Sequence, residues 1–261
     1  MKILKILAVI IVMLLPFSTV LSNFSPYWTS NTFQTYLLAS LVFAIVCVLL
    51  GFFISQKGRL FSEQGIWFFL GILVAPPLML GPPEISPKLL ELTSEEHFRY
   101  GMLMVAVLVF ALGFLLILKN TWENLSAGNK LIIIPFVVCV VLMIWDNYSS
   151  YMFSSEMKSW ISSGKKAEEF AMNFDFNELY RTFGRTLLYV LAPWIGFILL
   201  KKNRVKTWQI LVLSIFCSIG IVFFFLTNLL GMEYYFPFMV PAIALAPAYW
   251  LGIAMITKKG F

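Results

Sequence analysis

The sequence predicts an all-α fold, a polytopic bundle of eight transmembrane helices with both termini cytoplasmic, and three observations carry that prediction. First, 60% of the 261 residues are hydrophobic and only 12% are charged, at a mean hydropathy of +0.87, well outside the range of soluble domains. Second, apolar stretches of about 20 residues, enough to cross a bilayer as helix, recur along the whole chain. Third, the loops between them alternate between basic and acidic, the charge asymmetry that orients membrane proteins.

The eight stretches fall at residues 4–22, 34–54, 62–80, 100–118, 131–150, 182–200, 208–228 and 236–256. No polar segment is long enough to fold alone, so residues 1–261 are expected to form a single integral membrane domain. The first stretch has two readings. A basic start at Lys2 and Lys5, an apolar run from Leu7 to Phe17 and small residues at Ser18 to Ser22 also fit a cleavable signal peptide, which would leave seven spans.

The third stretch ends in "VAPPLMLGPP", residues 74–83. Pro76 and Pro77 lack amide donors, and Pro76 biases Ala75 away from helical torsions, so the helix is expected to kink or end near Val74. If this segment turned back as a hairpin, every later loop would change sides. With eight crossings, one side carries twelve basic residues against the two acids Glu63 and Glu123, and the other carries seven against eleven. A hairpin would export the Lys201–Lys206 cluster and spoil that bias, so a crossing is preferred. The same counts explain the net charge of +6 without a nucleic-acid partner.

Two loops on the acidic, outer side are longer than a connection needs. Residues 81–99 and 151–181 hold apolar residues interleaved with charges, and short amphipathic helices are expected in both. In the last stretch, Pro237 suits a first helical turn, whereas Pro241 and Pro247 imply a bend. Ser214, Cys217, Ser218 and Gly220 in the seventh stretch, with Gly101, Ala106 and Gly113 in the fourth, mark places for close helix packing.

Ionisable groups are nearly absent from the apolar centres, which argues against a proton relay or voltage sensor. The exceptions cluster toward the outer side. Counting helix rise puts Asp146 about a turn inside the end of the fifth stretch and Arg185 at similar depth in the sixth, with Arg181 at the boundary. A lone charge there is costly and a paired one less so, which predicts an Asp146–Arg185 ion pair. Asn147, Tyr148 and Glu233 fall at the same level, beside Tyr151 and Asn228, and complete a candidate outer-face polar site. Paired arginines of this kind also match a lipid phosphate or a carboxylate.

Catalytic motifs fail. "EEHFR", Glu95 to Arg99, resembles the paired-glutamate motif of membrane CAAX-type proteases, but its arginine is one residue too close and the further histidines are missing. His97 is the sole histidine, which excludes sites needing two; Cys47, Cys139 and Cys217 stand alone in apolar runs. No GxSxG, HExxH or phosphate-binding loop occurs. No metal or other cofactor is expected. The leading expectation is a non-enzymatic component of a plasma (bacterial inner) membrane that binds a lipid-like ligand or a partner membrane protein through its outer face. An outer-leaflet enzyme acting on a lipid-linked or peptide substrate, and a small-solute carrier, are the alternatives.

Overall fold

The computed structural model describes residues 2–55, 58–63, 65–173, 178–230 and 240–257. The fold is all-α, 82% helical, with no strand among the described residues. In chain order the helices are α1 (Lys2–Leu14), α2 (Phe33–Ile54), α3 (Phe69–Met79), α4 (Leu89–Lys119), α5 (Ala127–Lys130), α6 (Ile133–Ser162), α7 (Ala167–Asn173), α8 (Glu178–Lys201), α9 (Thr207–Leu230), α10 (Pro241–Ala244) and α11 (Ala246–Thr257). Five helical segments are long and apolar enough to cross a membrane: α2, α4, α5 continued into α6, α8 and α9. The apolar segments at Ile3–Phe17, Ile66–Met79 and Pro241–Thr257 are shorter.

Neighbours in sequence are neighbours in space. α3 packs on α4, α4 on α6, α6 on α8 and α8 on α9, while α2 lies against α1 and α3. The last helix, α11, fills the middle, touching α1, α3, α8 and α9. Nearly all its residues are buried, including Tyr249, Leu251, Ile253 and Ile256. A helix that is apolar all round belongs inside other protein, and this placement satisfies that rule. By contrast α2 and α9 turn one apolar face outward, with Leu38, Leu49, Leu211 and Ile215 exposed.

The prolines of the last segment do not bend one helix; they start two. Pro241 opens α10 and Pro247 is the second residue of α11, so each sits in a first turn, where a missing amide costs nothing. Pro237 lies outside the described residues. α1 ends at Leu14, and its late carbonyls are taken by aromatic side chains of α11: the Tyr249 hydroxyl donates to Val12 O at 2.5 Å and the Trp250 indole to Met13 O at 3.2 Å.

The double proline lies within α3. Of the kink or end expected near Val74, the end does not occur there: the helix runs on through Pro76 and Pro77 to Met79. Beyond the prolines, Leu80 N closes a turn onto Pro76 O, at 3.1 Å, and side chains from other elements cap the last carbonyls, Tyr36 on Pro76 O and Arg99 on Pro77 O. Nor does the segment turn back. Glu63, just before it, accepts a hydrogen bond from Asn120 beyond one end of α4, while Pro77 and Gly81 bind Arg99 near the other. Those two points on α4 are separated by about 30 Å of helical rise, at roughly 1.5 Å per residue.

The two long loops are mostly extensions of the flanking helices. Residues 89–99 continue into α4 with one kinked residue, Leu92 (φ −103°, ψ 15°), and α6 carries on from Asp146 to Ser162 before α7 begins. Asp146 is therefore mid-helix, with α6 continuing beyond it to Ser162. The two extensions pack together. His97 stacks on Tyr151 at 4.2 Å and pairs with Ser155 Oγ at 2.8 Å, and Leu89, Phe153, Met157 and Ala167 form a small apolar cluster.

Small residues do admit neighbours, though not all of those singled out. Gly113 lies against the Trp67 ring, whose indole donates to Phe110 O at 2.9 Å, and Gly220 lies against Tyr189. Gly101 faces open space, and Ser214 and Ser218 line an outward groove of α9. A close approach between helix backbone and the chain before α3 is at Gly252, where a Cβ would sit 2.7 Å from Phe68 N and 2.8 Å from Trp67 C. Backbone cannot step aside as a side-chain tip can. Gly252→Ala is expected to destabilise the fold by about 1–3 kcal/mol, whereas Gly101→Ala, with nothing within 4 Å, should be neutral or stabilising. Thermal unfolding of the two variants in detergent checks the contrast.

Candidate functional site

At the end of the bundle where α3 leaves and α4 enters, polar side chains gather in two adjoining clusters. The first is built by α6 and α8. Asp146 and Ser150 are one turn apart on α6, Arg181 and Arg185 are one turn apart on α8, and the two helices face each other. Arg181 Nε lies 2.5 Å from Asp146 Oδ1, and Arg185 reaches Asp146 Oδ2 with Nη2 at 2.6 Å and Nε at 3.0 Å. Arg181 also donates to Ser150 Oγ. Asp146 is only 1% exposed, so burial would penalise its charge were it not held by two guanidinium groups. The ion pair expected with Arg185 is present, and Arg181 joins it.

The other residues expected at this site divide. Asn147 is buried, but it points back along its own helix and donates to Met143 O at 2.7 Å. Tyr148 does not join the cluster; it is 53% exposed, on the opposite side of α6 from the buried Asp146 and Ser150. Tyr151 stacks on His97 instead. Asn228 of α9 meets Thr182 Oγ1 at 3.3 Å and so ties α9 to the edge of the cluster. Glu233 lies outside the described residues, as do Tyr234 and Tyr235.

The second cluster was not foreseen. Arg99, 6% exposed, sends Nη1 to Pro77 O at 2.9 Å and to Gly81 O at 2.6 Å, and Nη2 to Pro82 O at 3.2 Å. Its Nε lies 3.3 Å from the Glu96 carboxylate, one helical turn earlier. Tyr36 donates to Pro76 O and Ser25 to Leu80 O. The carbonyls exposed around the double proline are thus satisfied by the chain itself, with a cation at the negative end of the α3 dipole. Tyr27 completes the arrangement by donating to Glu96 Oε1. Tyr100, next along α4, lies within electrostatic reach of Glu96 and Arg99 and also of Asp146 and Arg181, so the clusters adjoin.

The chemistry open to these groups is narrow. Both oxygens of Asp146 are occupied by arginine, and Glu96 is held by Arg99, Tyr27 and the Glu84 amide at 3.4 Å. A carboxylate so held is a poor general base. Among the described residues no group of three His, Cys, Asp or Glu could hold a metal ion. Glu95 is the odd member: it is 5% exposed and its Oε2 has no hydrogen-bond partner.

Tyr27 lies outside the long helices, and its burial, with the Glu96 charge beside it, pushes its hydroxyl well above the ordinary phenol value of 10. The unfolded chain therefore releases this proton first, so the stability it contributes is complete below pH 10 and declines as pH rises beyond it. Tyr27→Phe is expected to lose less thermal stability than the parent between about pH 9 and pH 11. Unfolding midpoints across that range check it.

No protein-family model matches the chain, and neither a curated protein nor a solved structure matches it significantly.

Proposed function

We propose that this is a non-enzymatic integral membrane protein of eight spans with both termini cytoplasmic, residing in a plasma (bacterial inner) membrane. On this reading its outer end binds an amphiphilic ligand or a partner membrane protein. The passage of residues 63–82 along the length of α4 supports the crossing of the third segment. The shorter segments need not meet lipid along their full length, since α11 is almost wholly covered by other helices. The positive-inside rule then orients the bundle with its basic loops in the cytoplasm.

One observation carries the non-enzymatic reading: the only buried aspartate among the described residues, Asp146, has both oxygens engaged by arginine at 2.5–3.0 Å. It holds α6 to α8 and is not poised to take a proton. Above that layer, α6 runs on for about 24 Å from Asp146 to Ser162, at roughly 1.5 Å per residue, with residues 89–99 of α4 packed against it. Their packed faces make a firm platform, and Glu156, Lys158 and Ser159 are exposed on it. The carbonyls that end α3, Pro76 O and Pro77 O, are bound by Tyr36 and Arg99 and so do not face a substrate path.

The test has two parts. Labelling of single cysteines placed in the loops reports sidedness, and an exported C-terminus would overturn the orientation. A photoreactive residue at Glu156 or Ser159 should form a discrete adduct in cells that the same residue at Leu49 does not. Equal labelling at all three positions would overturn the outer-end reading.

A further inference from the structure

At the opposite end of the bundle, the ends of α4, α8 and α11 surround a groove of about 150 Å³. Its floor is apolar, from Leu116, Ile117, Leu199 and Met255, and all but Leu116 are buried. Its rim is polar and exposed, with Lys202, Arg204, Glu63 and Asn120. An apolar floor under a charged rim suits a molecule that is itself amphipathic.

The two cations are placed there by the way α8 ends. Asn203 adopts a left-handed conformation, φ 54°, and two reversed hydrogen bonds close the turn: Arg204 N to Leu199 O at 2.8 Å and Asn203 N to Leu200 O at 2.9 Å. This is the Schellman arrangement, with asparagine at the position that glycine usually takes. Val205, 3% exposed, anchors the chain immediately afterwards. Lys202 and Arg204 are therefore set on either side of a fixed turn. Neither side chain has a hydrogen bond or ion pair within the described residues, whereas Glu63 is engaged by Asn120. Two cations against one anion leave the rim with a charge of +1, which complements a single phosphodiester.

We infer that this groove binds one anionic glycerophospholipid of the cytoplasmic leaflet. Its phosphodiester sits between the Lys202 ammonium and the Arg204 guanidinium, and the start of an acyl chain lies over Leu116, Leu199 and Met255. The leaflet rests on the orientation proposed above; the lipid chemistry rests on the groove alone. Basic pockets between membrane helices recognise anionic headgroups in this way, and a guanidinium fork suits phosphate better than a point charge does.

Native mass spectrometry of the purified protein in detergent tests it, with dioleoyl phosphatidylglycerol against dioleoyl phosphatidylcholine. The parent protein should retain one phosphatidylglycerol with a preference on the order of thirtyfold, from about fivefold per basic residue. Lys202→Ala with Arg204→Ala should bring the preference to near parity at an unchanged unfolding midpoint, since both side chains are exposed. Lys119→Ala with Lys201→Ala removes the same charge nearby and should keep the preference. Equal loss in the two double variants, or no preference in the parent, would overturn the site. Competition by glycerophosphoglycerol as strong as by the whole lipid would overturn the role of the apolar floor. Failure of the orientation is separately visible: an exported C-terminus would remove the leaflet assignment while leaving the preference in detergent intact.

Discussion

Asp146→Ala is expected to destabilise the bundle by about 3–5 kcal/mol, because it removes the single anion that holds two arginines in a mostly buried layer. Arg181 and Arg185 have side chains only 19% and 15% exposed, so neither can recover full hydration without disturbing α8. Each would lose its bond to Asp146, at 2.5 Å and 2.6 Å, while keeping its charge. Asp146→Asn should cost less, since the amide oxygen can still accept from one guanidinium. The informative variant is the triple replacement Asp146→Leu, Arg181→Met, Arg185→Met. If the triad serves only to join α6 to α8, matched apolar side chains should restore most of the stability that Asp146→Ala loses, and the effects of the single changes should be far from additive. Unfolding midpoints in detergent decide the matter. A triple variant that is stable yet inactive in the cell would instead assign the triad to a ligand or a reaction.

Arg99→Met is expected to be comparably severe, about 3–5 kcal/mol, for a different reason. Here the arginine serves backbone as well as a carboxylate. Without it, the carbonyls of Pro77, Gly81 and Pro82 lose their donor, and Glu96 loses its cation while staying 1% exposed. Changing both members of the ion pair should therefore not rescue the fold as it does for Asp146. Glu96→Gln with Arg99→Met still leaves the buried Pro77 carbonyl without its donor, at about 1–3 kcal/mol, and the partly exposed Gly81 and Pro82 carbonyls to water. Limited proteolysis gives a second readout: cleavage within 80–88 should rise in Arg99→Met and stay low in Asp146→Ala. The opposite pattern would show that the cap of α3 does not depend on Arg99.

How much of this was legible in the residues differs from element to element. The apolar periods of α2, α4, α6, α8 and α9 needed only their length and composition; α2, α8 and α9 form helices close to the expected bounds, and α4 and α6 each run some ten residues beyond them at one end. The pairing of Asp146 with Arg185 was also legible, because the count along each helix puts both at one depth and an unpaired charge there is costly. The failures share a cause. Counting within one helix cannot show what a neighbour supplies. The fifth stretch was bounded near Ser150 with a separate amphipathic helix expected beyond it, but the extension finds partners in residues 89–99 of α4 and the two form one helix to Ser162. α3 was expected to kink or end near Val74; it runs on to Met79, where Tyr36 and Arg99 cap its last carbonyls. Tyr148 was grouped with Asp146 by depth alone, yet it faces away. "EEHFR" failed as a protease motif and proved to be the cap of α3.

By itself, then, the sequence determined that this chain is all-α with helices long and apolar enough to cross a membrane, how its apolar segments are spaced, and that Asp146, Arg181 and Arg185 gather at one end. Those properties follow from the local chain: composition against the bilayer, helical rise against its thickness, and the cost of a lone charge. Only the tertiary structure decided that the C-terminal segment is the central helix, that the double proline is crossed within a helix, and that Ser25, Tyr27, Tyr36, Glu96 and Arg99 form one cap around it. Those depend on which donors reach which carbonyls across segments far apart in the chain. Ser25 and Leu80 are 55 residues apart and Tyr249 and Val12 are 237 apart. Hydrogen bonds of such separation leave no periodic trace in the sequence, because their partners are set by packing.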